Sequence, residues 1–120
     1  ELAASGSRVV WNITPTTCSG PCSTLGIYTQ DFGGAATTVV TGTTFRTSPA
    51  IAGNTVAWSE RDDNSVRVMV KDLATGDTRP ITRSASNEIF INSVQISDAY
   101  IAWAEVNTSI LAGHKSSVRV

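Results

Sequence analysis

Asn54-Thr55-Val56-Ala57-Trp58 decides the reading of this chain, because it returns as Ala99-Tyr100-Ile101-Ala102-Trp103 and, more loosely, as Ser7-Arg8-Val9-Val10-Trp11. The three tryptophans at 11, 58 and 103 stand 47 and 45 residues apart. Upstream of the last two lie Ala50-Ile51-Ala52-Gly53 and Gln95-Ile96-Ser97-Asp98, with Ala3-Ala4-Ser5-Gly6 in the first copy. Downstream, Leu25-Gly26-Ile27-Tyr28-Thr29-Gln30-Asp31-Phe32 matches Val66-Arg67-Val68-Met69-Val70-Lys71-Asp72-Leu73. From the two aspartates, ten residues lead to Val40-Thr41 in one copy and to Ile81-Thr82 in the other. Agreement at several separated anchors marks an internal repeat, and the repeat has to be recognised before any single element is assigned.

Each copy reads as four short strands. In the middle copy these are Pro49–Ala52, Thr55–Glu60, Val66–Leu73 and Thr78–Thr82. The turns between them carry Gly53-Asn54, Asp62-Asp63-Asn64-Ser65 and Ala74-Thr75-Gly76-Asp77, the residue types that tight hairpin geometry requires. Strand side chains alternate, so Val66, Val68 and Val70 are expected on one face and Arg67, Met69 and Lys71 on the other. Thr, Ser, Val, Ala and Gly are abundant while Leu, Glu and Lys are few, a composition of strands and turns rather than helices. The expected class is all-β.

A repeated four-stranded antiparallel unit of roughly 45 residues is the pattern of β-propeller blades, which leave apolar faces exposed until neighbours stack on them. The motif resembles the blades of TolB-like propellers on Pro49-Ala50-Ile51-Ala52-Gly53, Val56-Ala57-Trp58, Asp72-Leu73-Ala74-Thr75-Gly76 and Ile81-Thr82. On this reading residues 1–47 form a first blade with a Cys18/Cys22 hairpin insert, 48–92 a second, and 93–120 part of a third. Closed propellers have about 4–8 blades, so one chain is expected to supply an incomplete ring. It is then a piece of a longer polypeptide, or several copies assemble. The rival fold is a β-sandwich, which explains the strands but not the repeat.

The 120 residues carry 16% charged side chains and a net charge of −1, with nine scattered basic residues. Such a balance gives no footprint for nucleic acid or for an anionic membrane surface. No apolar run approaches the ~20 residues that span a bilayer, so no membrane insertion is expected. The opening Glu1-Leu2-Ala3-Ala4-Ser5-Gly6 lacks the regions of a signal peptide, and any export signal is expected to have been removed or to lie outside this sequence.

Two cysteines, Cys18 and Cys22, flank Ser19-Gly20-Pro21, and Gly-Pro marks a turn that brings the sulfurs within reach. A structural disulfide is the expected state, with a modest gain in stability because so short a loop restricts the unfolded chain little. Free thiols are one rival. Metal ligation is the other; zinc wants four ligands, and the single histidine, His114, lies far along the chain. A disulfide implies an oxidising compartment, hence a secreted, cell-surface or periplasmic protein.

No catalytic residues, cofactor or metal ligands are expected. No serine occupies a nucleophile-elbow pattern with which His114 could work, and His114 reads as a loop residue. Asp62 and Asp63 could pair for hydrolysis, but they fall in a turn where Asp is used for its own hydrogen bonding. With Glu60 and Asn64 they also supply too few oxygens for calcium. Trp11, Trp58 and Trp103 occupy one repeat position and are expected in the core, where an indole buries most area. The sequons Asn12-Ile13-Thr14 and Asn107-Thr108-Ser109 arise readily in a Thr-rich chain. Inserts at Thr14–Thr24 and Val106–Lys115 share one blade position and mark the rim expected to recognise a partner.

The resemblance therefore implies a non-enzymatic extracytoplasmic propeller module for protein–protein interaction or assembly, with self-association completing the propeller as one form of partnership. An accessory propeller of a larger secreted hydrolase or peptidase is the alternative. A carbohydrate-binding lectin is the third, for which the loops offer only Phe45 and Phe90 as aromatics.

Overall fold

A computed structural model describes residues 1–13, 26–42, 44–62, 65–84, 89–107 and 115–119, and every regular element among them is a β-strand. The first sheet runs β1 (Leu2–Ser5), β2 (Arg8–Ile13), β3 (Gly26–Asp31), β4 (Thr37–Thr41). The middle sheet runs β5 (Phe45–Ala52), β6 (Thr55–Arg61), β7 (Val66–Asp72), β8 (Thr78–Ser84). The last sheet holds β9 (Ile89–Ile96), β10 (Ile101–Asn107) and β11 (Lys115–Arg119). All pairings are antiparallel between sequence neighbours, so each sheet is a meander. Cys18 and Cys22, His114, Asp63 and most of both inserts lie outside the described residues.

The turns show why the repeat is tolerant at its punctuation. Gly6 and Gly53 occupy the same place after β1 and β5 and both adopt the left-handed region, at φ +58° and +57°. Asp98 stands at that place in the last sheet, and the chain turns there on Ser97 instead. Its hydroxyl accepts the N–H groups of Ala99 and Tyr100 at 3.3 and 3.0 Å.

The first strand of the middle sheet is longer than the sequence pattern indicates, Phe45–Ala52 rather than Pro49–Ala52, and it starts upstream of the repeat boundary at 47/48. A β-bulge conceals the additional residues. Register passes from Thr47↔Ser59 to Ala50↔Ala57, leaving Ser48 and Pro49 opposite Trp58. The last sheet repeats it: Asn92 pairs Ala104, Gln95 pairs Ala102, and Ser93 and Val94 stand opposite Trp103. Ser48 and Ser93 both have positive φ, 54° and 55°, a conformation that disfavours a residue with a Cβ and therefore marks a bend built into both sheets.

The three sheets stack face to face in chain order. β1, β2 and β3 pack on β5, while β5, β6 and β7 pack on β9. Between the first and middle sheets, Val10, Ile27 and Val39 meet Ile51, Val56 and Trp58, with Met69 and Leu73 packed alongside. Between the middle and last sheets, Ala50, Ala57, Val66, Val68 and Val70 meet Ile91, Val94 and Trp103. The middle sheet is thus covered on both faces, which is why β6 reads as a run of buried residues instead of alternating. In β7 the valines face the last sheet, and Met69 faces the first, as the alternation in the sequence requires. Each fully buried Val or Ile contributes about 1.5–3 kcal/mol relative to its exposed state.

Candidate functional site

Two features stand out once the sheets are in place: a buried ionic cluster inside the stack and an uncovered aromatic face at its head. The cluster centres on Glu60 in β6. One carboxylate oxygen accepts from Arg46 Nε at 2.7 Å and from the Trp58 indole N–H at 3.1 Å; the other accepts from Arg67 Nε at 3.0 Å. Strand alternation makes this possible, because residues two apart in β6 share a face and Arg46 and Arg67 sit directly across from Glu60 in β5 and β7. Burial pushes the Glu60 carboxyl up, but the Arg46 and Trp58 hydrogen bonds, the Arg46 charge and the Arg67 hydrogen bond outweigh it and hold the carboxyl below its ordinary 4.5. The indole-to-carboxylate bond recurs in the last sheet, from Trp103 to Glu105 at 3.2 Å. The sequence carried the signal as Trp58-Ser59-Glu60 and Trp103-Ala104-Glu105, and reasoning from the tryptophans alone missed the glutamates.

Around this cluster the sheets are tied by polar contacts as well as by apolar packing. Asn12 donates to the Arg46 carbonyl at 3.1 Å, and Lys71 crosses from the middle sheet to the Val39 carbonyl at 2.8 Å. Arg8, paired with Asp31 at 2.6 Å, also donates to the Asn54 side chain at 3.0 Å. Asn12 is only 9% exposed, so its side chain is not presented for glycosylation. Its Oδ1 has no hydrogen-bond partner among the described residues. Asp62 accepts from the Ser65 N–H at 2.8 Å and from Arg67 at 3.1 Å, an aspartate holding its own turn.

The tryptophans divide into two environments. Trp58 is completely buried at 0% exposure and Trp103 nearly so, each pointing at the preceding sheet. Trp11 is half-buried and belongs to neither apolar cluster. It lies on the face of β2 turned away from the middle sheet, where it stacks on Tyr28 of β3 with ring centroids 6.1 Å apart and planes 25° apart. Leu2, its cross-strand partner in β1, is 69% exposed. Phe32 follows β3 at 93% exposure. Phe32 is the counterpart of Leu73: each donates its N–H to the carbonyl of the equivalent turn residue, Ser7 or Asn54, at 2.7 Å. Yet Leu73 packs on the first sheet whereas Phe32 has no sheet against it among the described residues. Leu2, Trp11 and Tyr28 stand side by side on this face, with Phe32 at the end of β3, an apolar surface of the kind that marks an interaction site.

A cleft of about 520 Å³ opens between the middle and last sheets, beside Arg79, Ile81 and Tyr100. At the matching place between the first and middle sheets the cleft is about 360 Å³, and Lys71 and Leu73 from the end of β7 line it. Among the described residues, no group of three or more His, Cys, Asp or Glu gathers to hold a metal ion. No family model matches the chain, and no curated protein or solved structure shows significant similarity to it.

Proposed function

We propose that this chain is a non-catalytic, extracytoplasmic β-propeller module of the TolB-like kind whose role is protein–protein contact or assembly. The observation that carries the reading is the repeated stacking rule. Each later sheet lays its tryptophan face on the aliphatic face of the sheet before it, and at the head of the stack an aromatic face has no sheet on it among the described residues. The four-stranded meander, repeated in chain order with matching bulges opposite Trp58 and Trp103, supports blades over a sandwich, whose two sheets would share one core. The Cys18 and Cys22 pair in the sequence supports an oxidising compartment.

Light scattering on the purified chain, with denaturing intact mass alongside, tests this. A discrete assembly of intact 12.6 kDa chains supports the assembly role. A mass that stays at one chain across all concentrations removes it.

A carbohydrate-binding role is the second reading, favoured by the near-parallel stack of the half-buried Trp11 and Tyr28 on the outward face of the first sheet. Quenching of tryptophan fluorescence by a neutral oligosaccharide, abolished in Trp11→Ala, would support it.

A further inference from the structure

We propose that the aromatic face of the first sheet binds the outer face of the last sheet in a second copy of this chain, so that two copies stack head to tail. The proposal rests on the propeller reading above and names the surfaces through which assembly occurs.

Both interfaces already inside the chain are made by one pair of faces. In the first, Trp58, Val56 and Leu73 lie on Val10, Ile27 and Val39. In the second, Trp103 and Ile101 lie on Ala57, Val68 and Val70. The same two kinds of face remain open at the ends of the stack. The head carries Trp11, with Leu2 exposed across from it in β1 and Phe32 exposed just past the end of β3. At the tail, Ala102 and Ala104 occupy the positions of Ala57 and Ser59 in the middle sheet, on the side turned away from Trp103; both are half-buried, and Gln95 beside them is exposed. No sheet covers either face among the described residues. The contact therefore continues an interface the molecule makes twice, with Trp11 entering opposite Ala102 and Ala104 as Trp58 enters opposite Val10.

Two details favour this contact. Ile13 stands where Glu60 and Glu105 follow the other tryptophans, so the head face brings no carboxylate that would need a buried partner. Phe32, at the place of Leu73, supplies the apolar side chain that Leu73 supplies inside the chain. The contact is heterologous, using different patches on the two partners, and such contacts close into rings when the rotation allows. Two copies bring six sheets, within the about 4–8 that close a propeller.

The test uses the whole chain and two complementary variants. Sedimentation velocity on the wild type should give twice the 12.6 kDa chain mass. Trp11→Arg removes the head face and Ala104→Arg the tail face. Each should sediment as a monomer with an unchanged far-UV circular dichroism spectrum, and loss of the central tryptophan should weaken association at least roughly 30-fold. Phe32→Asp, at a side chain 93% exposed and outside both cores, repeats the test without threatening the fold. An equimolar mixture of Trp11→Arg and Ala104→Arg should recover a heterodimer, because one intact head still meets one intact tail. An oligomer that survives Trp11→Arg and Phe32→Asp, or folded variants that do not complement, would overturn the head-to-tail contact while leaving the assembly reading intact. A wild type that is monomeric throughout would overturn both. A monomer whose tryptophan fluorescence responds to oligosaccharide would overturn both in favour of a sugar site.

Discussion

Replacing Glu60 by Gln keeps the shape of the side chain and removes its charge, and the cluster around it sets the size of the effect. Glu60 and Arg46 are 7% and 8% exposed at their side chains, so neither is hydrated enough to stand alone. In Glu60→Gln an amide oxygen can still accept from Arg46 Nε, but the guanidinium loses its counter-charge, and its other hydrogen bond is the 3.3 Å contact to the Thr44 carbonyl. Arg67 is better placed, since it retains Asp62 at 3.1 Å in a partly exposed pair. The loss therefore falls mainly on Arg46, and leaving one member of a buried pair uncompensated costs about 3–5 kcal/mol. With a urea m-value of about 2 kcal/mol/M, the unfolding midpoint should drop by roughly 1.5–2.5 M at unchanged m. The double variant Arg46→Met with Glu60→Met should recover most of the loss, because two apolar side chains replace the pair without leaving a charge. A drop below about 1 kcal/mol in Glu60→Gln would refute the reasoning, since that is the size expected of a solvated surface pair.

Acid should unfold the protein through the same group. The Glu60 carboxyl is held below its ordinary 4.5 in the fold, so its contribution is fully present above that value and is lost as pH falls through the lower folded value. Urea midpoints measured from pH 6 downward should decline below 4.5, and the decline should be shallower in Glu60→Gln. In the monomeric Phe32→Asp background, where no second copy covers the head face, the repeat tryptophans should differ in thermal and urea unfolding: Trp58→Ala should cost about 3–5 kcal/mol and Trp11→Ala only about 1 kcal/mol. Equal losses there would show that the chain itself packs Trp11 as tightly as Trp58. Ser48→Gly should raise the urea midpoint by the equivalent of about 0.5–1 kcal/mol by relieving a left-handed residue, whereas Ser48→Val should lower it by about 1–2 kcal/mol.

The local architecture was legible in the sequence to different depths. Val66, Val68 and Val70 against Arg67, Met69 and Lys71 gave the two faces of β7, because alternation is a property of the strand itself. The start of β5 was not legible. Ser48 and Pro49 interrupt the alternation at the bulge, so Phe45-Arg46-Thr47 reads as a connection although it pairs with Ser59-Glu60-Arg61. The Glu60 cluster was hidden for a related reason. Trp-x-Glu is visible along one strand, but Arg46 and Arg67 are brought to it from neighbouring strands, and strand register is not printed in composition. The loop aromatics were misread: Phe45 and Phe90 were the ones expected in loops, whereas Phe45 opens β5 and Phe90 lies in β9, and Phe32 and Tyr100 are exposed aromatics outside the strands.

By itself the sequence determined the repeat, the all-β class, the order of strands within each sheet and the side chains that share a face. These follow from a two-residue period and from turn residues, interactions that span only a few positions. Tertiary structure decided which of those faces are covered. Trp11 and Trp58, and likewise Phe32 and Leu73, occupy equivalent places in the repeat, yet Trp58 is buried where Trp11 is half-buried, and Leu73 is half-buried against the first sheet where Phe32 is exposed. Burial depends on the sheet that arrives from elsewhere in the chain. Among the described residues the middle sheet has such a neighbour on both sides, and the first sheet has one on a single side.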